Sequence, residues 1–65
     1  MRVIVNGKPL DSVSQTLAQL LEELGHATGR IATAVNEDFV AARRRAERRL
    51  SEGDRIEIVA PMQGG

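Results

Sequence analysis

The sequence predicts an α+β domain, a mixed sheet of four to five strands with one main helix, about residues 16–24, packed across it. Three observations lead there. The first and last apolar segments, MRVIVN and RIEIVAPM, alternate with the period of two expected of half-buried strands. Between them, SQTLAQLLEELG switches to helical spacing. Asn6-Gly7 lies where a two-residue hairpin turn, with positive φ at both positions, would return the chain antiparallel to its first strand.

The elements follow in order. In the first strand Met1, Val3 and Val5 share one face, and Arg2, Ile4 and Asn6 the other. The hairpin partner runs from about Lys8 to Val13, and Pro9, which has no N–H to donate, marks it as an edge. Leu17, Leu20, Leu21 and Leu24 then form one face of the helix. Thr16 and Gln19 have the spacing of a capping box, Gly25 suits the residue just past the helix end, and Glu22 and Glu23 fall on the wet side. RIATAVN is a third strand of small and β-branched residues, and Phe39 with Val40 a brief fourth. A crossing segment with five arginines between Arg43 and Arg49 follows, anchored by Leu50. The last strand places Ile56 and Ile58 inward and Arg55, Glu57 and Val59 outward. Because the first and last strands alternate most strictly, they are expected to be central, parallel neighbours. Ile4 and Val59 are then expected close together on the wet face.

Sixty-five residues allow one domain, read as residues 1–61 followed by a flexible Gly-Gly tail at 62–65. With no cysteine there is no disulfide or thiolate metal site, so stability rests on aliphatic packing. Nine basic and nine acidic residues cancel, which points away from nucleic acid and anionic membrane as partners. No apolar run approaches the length of a membrane span, and the start lacks a signal-peptide pattern; a cytoplasmic protein is expected.

A self-contained active site is hard to find. His26, the only histidine, follows the helix-ending glycine and is read as a solvated loop residue. No phosphate-cradling loop or nucleophile elbow is present, and Glu22-Glu23 and Glu37-Asp38 read as solvated charge. The arginine run lacks interleaved aromatics, so an acidic docking partner or a plain wet face fits it better than nucleic acid. The tail remains. Two glycines without side chains can thread a narrow channel, and four residues beyond Pro61 reach about 13 Å when extended. Such a tail suits a carboxylate that another protein operates upon.

AVN at 34–36, LSEGDRIEIV at 50–59 and the closing GG, in this order and spacing, resemble the ThiS family, the sulfur carriers of thiamine (thiazole) biosynthesis, which have a ubiquitin-like β-grasp fold. The resemblance implies that the chain is a protein co-substrate and not itself an enzyme, with no bound metal or cofactor. An E1-like, ThiF-like adenylating enzyme using ATP and magnesium would activate the Gly65 carboxylate. A sulfur donor protein would then convert it to a thiocarboxylate, with thiazole synthase, ThiG-like, as the acceptor. Gly64, Gln63 and Met62 would form the tail, and Ile4 and Val59 a docking patch. Family members commonly carry a Pro-Arg pair and an aromatic where this chain has Ala41, Ala42 and Arg45, so no role is carried over to the crossing segment. The alternatives are a molybdopterin synthase small subunit, a ubiquitin-like modifier joined to lysines, and a small binding module whose glycines are a frayed end.

Overall fold

The computed structural model describes residues 1–26 and 30–60. Its strands are β1 (Arg2–Val5), β2 (Lys8–Asp11), β3 (Ala32–Val35), β4 (Asp38–Val40) and β5 (Arg55–Val59). One helix, α1 (Leu17–Glu23), follows β2, and a 3-10 turn (Ala42–Arg44) opens the crossing segment. The sheet order is β2-β1-β5-β3-β4. β5 runs parallel to β1 and antiparallel to β3, so the last strand is central and the first its parallel neighbour, as expected. β2 is an edge, where the missing N–H of Pro9 breaks no inner ladder. No helix among the described residues is long and apolar enough to cross a membrane.

The core lies between one sheet face and α1. Val3, Val35, Val40, Ile56 and Ile58 point in from the strands to meet Leu17, Leu20 and Leu21 from the helix, and Leu50 closes the cluster. Each of these aliphatic side chains contributes about 1.5–3 kcal/mol on full burial, which is how a domain without cysteine coheres. Thr33 is the polar exception on this face. Its hydroxyl donates to the Val40 carbonyl at 2.8 Å and so satisfies itself within the sheet.

Both hairpins turn on two residues of positive φ. Asn6 (50°) and Gly7 (84°) join β1 to β2, and Asn36 (51°) and Glu37 (74°) join β3 to β4. The first pair suits its turn, whereas Glu37 holds a left-handed conformation that crowds its Cβ.

At the start of α1, the Thr16 hydroxyl accepts from the Gln19 N–H at 3.2 Å, as a capping box requires. The reciprocal bond lands one residue early, since Gln19 Oε1 accepts from the N–H of Gln15 at 2.7 Å. The Thr16 backbone instead forms an isolated antiparallel bridge with Arg49, which ties the crossing segment to the helix start.

β2 ends at Asp11, two residues before the expected Val13. The hydrogen bonding runs one rung further, the Ser12 N–H donating to the Met1 carbonyl at 2.8 Å and the Met1 amine to the Ser12 carbonyl at 2.9 Å. The Ser12 Oγ accepts from the Ser14 N–H, and both hydroxyls donate to one oxygen of Glu23, at 2.6 and 2.8 Å. Past Ser12 the chain leaves the ladder and is bracketed to the last turn of α1, with Val13 almost fully in water. Glu23, expected to be merely wet, is the anchor of this bracket. The two serine hydroxyls hold its carboxyl below the usual range, Ser12 contributing most.

Two consequences can be measured. Glu37→Gly relieves the crowding at φ 74° and should raise stability by about 1 kcal/mol in urea unfolding, net of the added freedom of the unfolded chain. The lowered carboxyl of Glu23 stabilises the fold above its unfolded value, and that contribution is lost as pH falls through the folded one. Glu23→Gln should therefore lower the melting temperature at neutral pH and converge with the parent chain in acid. Equal differences at both pH values would contradict the bracket.

Candidate functional site

The tail residues Met62, Gln63, Gly64 and Gly65 lie outside the described residues, so the site is approached from the strand that leads to them. That strand is held on both edges. On the β1 side the Ile4 and Asn6 N–H groups donate to the carbonyls of Asp54 and Ile56, at 2.9 and 2.8 Å. Beyond the end of β1, the Asn6 side chain continues the ladder: its Oδ1 accepts from the Ile58 N–H at 2.8 Å and its Nδ2 donates to the Ile58 carbonyl at 3.2 Å. On the β3 side the Asn36 N–H donates to the Arg55 carbonyl at 2.7 Å, and its Oδ1 accepts from the Arg55 N–H at 2.9 Å. Its Nδ2 reaches Asp54 Oδ1 at 2.9 Å.

The two asparagines do corresponding work. Each leaves its strand with positive φ, which frees its side chain to lie alongside β5 and mimic a peptide group. Arg55 at the start of β5 and Ile58 near its end are thus pinned by amides from different hairpins. A pull on the chain beyond Val59 is resisted across the middle of the sheet.

The face of the sheet away from α1 carries Ile4, Arg55, Glu57, Val59, Ala32, Ala34 and Phe39. The expectation that Ile4 and Val59 stand close together is corrected here. Ile4 pairs with Arg55, whereas Val59 sits four residues further along β5, opposite Ala32, about 13 Å away at strand spacing. Both face outward, but at opposite ends of the strand, because the parallel register begins at the start of β5. Ile4 is half-buried, while Val59 and Phe39 are 61% and 72% exposed. The exposed apolar surface is therefore on the β3–β4 side: Val59 beside Ala32, and Phe39 beside Ala34.

Phe39 lies in the short strand β4. Two adjacent apolar residues, Phe39 and Val40, left open which one faces in. The pairing of Val40 with buried Thr33 settles it and turns the chain's only aromatic outward. A bulky aromatic left in water on a small protein marks an interaction surface more often than a lone aliphatic does.

The crossing segment is fastened to the body. Arg45 donates to Thr33 Oγ1 at 3.0 Å and to the Ile31 carbonyl at 2.8 Å, so it braces the entry to β3. His26 is exposed at the end of α1, its backbone N–H donating to the Leu21 carbonyl at 2.7 Å. Among the described residues no group of three or more histidines, cysteines and carboxylates is placed to hold a metal ion.

The model of the ThiS family matches residues 2–65. The sulfur carrier protein ThiS of Thermus thermophilus is 38% identical over 63 residues, covering 97% of this chain and 98% of the relative. A thiazole synthase of Paramagnetospirillum magneticum is 35% identical over 66 residues, and there the match takes in all of this chain but only 20% of the larger protein. Among solved structures, the crystal structure of the thiamine biosynthesis protein ThiS from Geobacter metallireducens superposes with a TM-score of 0.84 at 25% identity, each chain covered in full. A solution structure of a thiamine biosynthesis protein from the same organism gives 0.80 at 26% identity, covering 88% of that chain. The fold is thus the ubiquitin-like β-grasp.

If Asn6 clamps the end of β5, Asn6→Ala leaves an Ile58 N–H and carbonyl without partners and should cost about 1–3 kcal/mol. Hydrogen exchange at the Ile58 amide should accelerate more than at Arg55, which Asn36 holds. Uniform acceleration along β5 would mean that Asn6 acts only through its turn.

Proposed function

The chain belongs to the ThiS family of sulfur carrier proteins, and we propose that it carries sulfur as a thiocarboxylate on Gly65 for thiazole formation in thiamine biosynthesis. The observation that carries this reading is the family match spanning residues 2–65, on a β-grasp body whose central strand leads into the tail.

The chemistry follows from the tail's composition. A carboxylate does not exchange oxygen for sulfur until one oxygen becomes a good leaving group. In the proposed sequence the Gly65 carboxylate attacks the α-phosphorus of ATP, pyrophosphate departs, and an acyl-adenylate forms. A sulfide-level nucleophile from the sulfur donor then attacks the acyl carbon and expels AMP, leaving the thiocarboxylate. ATP and magnesium belong to the E1-like, ThiF-like partner. This chain contributes the reacting carboxylate and its presentation: Gly64 keeps the approach slim, Gln63 and Met62 span the distance, and β5 anchors the root.

Val59, on the exposed outer face at the root of the tail, is assigned to the docking patch. Ile4 keeps a place on the same face, toward the β1–β2 edge. The thiazole synthase relative supports the choice of acceptor. In it, a segment resembling this entire chain is part of a protein five times as long that bears the acceptor's name. That favours a ThiG-like acceptor over a molybdopterin synthase.

Incubation with the cognate adenylating enzyme, ATP, magnesium and a sulfur donor should raise the intact mass by the replacement of one oxygen with sulfur. Gly65→Ala should abolish that gain and leave the melting curve unchanged, since the substitution lies beyond the core. No gain for the parent chain with an active enzyme would refute the carrier chemistry. Sulfur delivered to the large subunit of molybdopterin synthase, and not to thiazole synthase, would move the acceptor.

A further inference from the structure

The five arginines between Arg43 and Arg49 do not share one surface. Arg45 turns inward to Thr33 and Ile31, and Arg49 sits at the bridge to Thr16. The remaining three, Arg43, Arg44 and Arg48, line a groove of about 520 Å³ whose other wall includes Phe39. Glu47 is the one acid lining it. Its Oε1 lies 3.9 Å from Arg44 Nη1 with both side chains well exposed, so it neutralises little of that charge.

Three properties make this more than a wet charged face. First, its backbone is fixed before any ligand arrives. The N–H groups of Leu17 and Ala18 donate to the carbonyls of Arg48 and Arg45, at 2.9 and 3.0 Å, and Leu50 donates to Gln15 at 2.9 Å. Guanidiniums rooted on such a platform lose less freedom on binding than those on a loose loop. Second, the Arg48 N–H donates to the Arg44 carbonyl at 3.1 Å, which sets these two groove-lining arginines one backbone turn apart, so that an anion in the groove meets two like charges. Third, the Arg48 Nε is shielded from water without a hydrogen-bond partner. An arginine that swings toward a bound carboxylate would give that N–H an acceptor.

We propose that this groove docks an acidic segment of the adenylating partner, with an apolar side chain laid on Phe39 and carboxylates held by Arg43, Arg44 and Arg48. The inference rests on the sulfur-carrier reading, which supplies the partner, and it adds a second contact outside the Val59 end of the sheet. Charge complementarity selects the occupant. Guanidinium forks match carboxylates bidentately, and because the whole chain has zero net charge the attraction is local and orients the body. An extended polyanion fits worse. No second aromatic is available to stack a base.

Binding of the parent chain and of Arg43→Gln/Arg44→Gln to the adenylating enzyme, by titration calorimetry without ATP, tests the groove. The double variant should bind roughly tenfold more weakly at low salt and depend less on salt concentration. Glu47→Gln, which removes the groove's acid, should bind more tightly at low salt. It also serves as an independent arm should the double variant melt early. Equal affinities for all three chains would overturn the proposal, as would the absence of measurable binding by the parent chain. A loss of affinity for a single-stranded oligonucleotide or for inorganic phosphate, with enzyme affinity unchanged, would reassign the groove and also overturn it. The mass gain at Gly65 is scored separately, so failed docking with successful sulfur loading condemns the groove alone.

Discussion

β5 is held from both sides, and the core and the outer face follow from that pairing. A parallel neighbour, β1, and an antiparallel one, β3, together occupy the ladder positions of a strand only five residues long. Asn6 and Asn36 extend that pairing past the point where their own strands end. This matters because the same strand supplies Ile56 and Ile58 to the core and leads directly to the tail. Burial of those two side chains requires the pairing register, and the register is secured by amide groups that a hairpin turn placed within reach.

That arrangement bears on the proposed carrier role, in which another protein handles the end of the chain while a domain of this size has little stability to spare. Here β5 is held as far as Ile58, whose N–H and carbonyl bond the Asn6 side chain on one side and which pairs with Thr33 on the other. The load is taken by the centre of the sheet and not by an edge strand that could peel. The outer face follows from the same register. With Ile56 and Ile58 committed inward, Arg55, Glu57 and Val59 must face out, and β3 and β4 bring Ala32, Ala34 and Phe39 beside them.

Charge is handled by division. The arginine-rich crossing segment could have been a uniformly repulsive run. Folding instead assigns Arg45 to brace β3, Arg49 to the bridge at Thr16, and three others to one groove. The acidic side chains show the same division. Glu23 becomes structural because the Ser12 and Ser14 hydroxyls both donate to it, while Glu47 stays near water with one distant arginine contact.

The strands and the helix, the one-helix mixed sheet and the inward pair Ile56 and Ile58 were legible in the amino-acid order alone. Those are local matters of period, turn chemistry and composition, legible because neighbouring residues dictate them. AVN and LSEGDRIEIV also carried the family. What depends on register and direction emerged when the strands paired. The tertiary structure separated Ile4 from Val59, because a parallel partner aligns by its starting point, which alternation does not reveal. It turned Phe39 outward by setting Val40 against Thr33. It gave Asn6, Asn36 and Glu23 their roles, since a side chain's long-range partner is fixed only when distant segments meet. And it sorted five arginines, identical as letters, into a brace, a bridge and a groove.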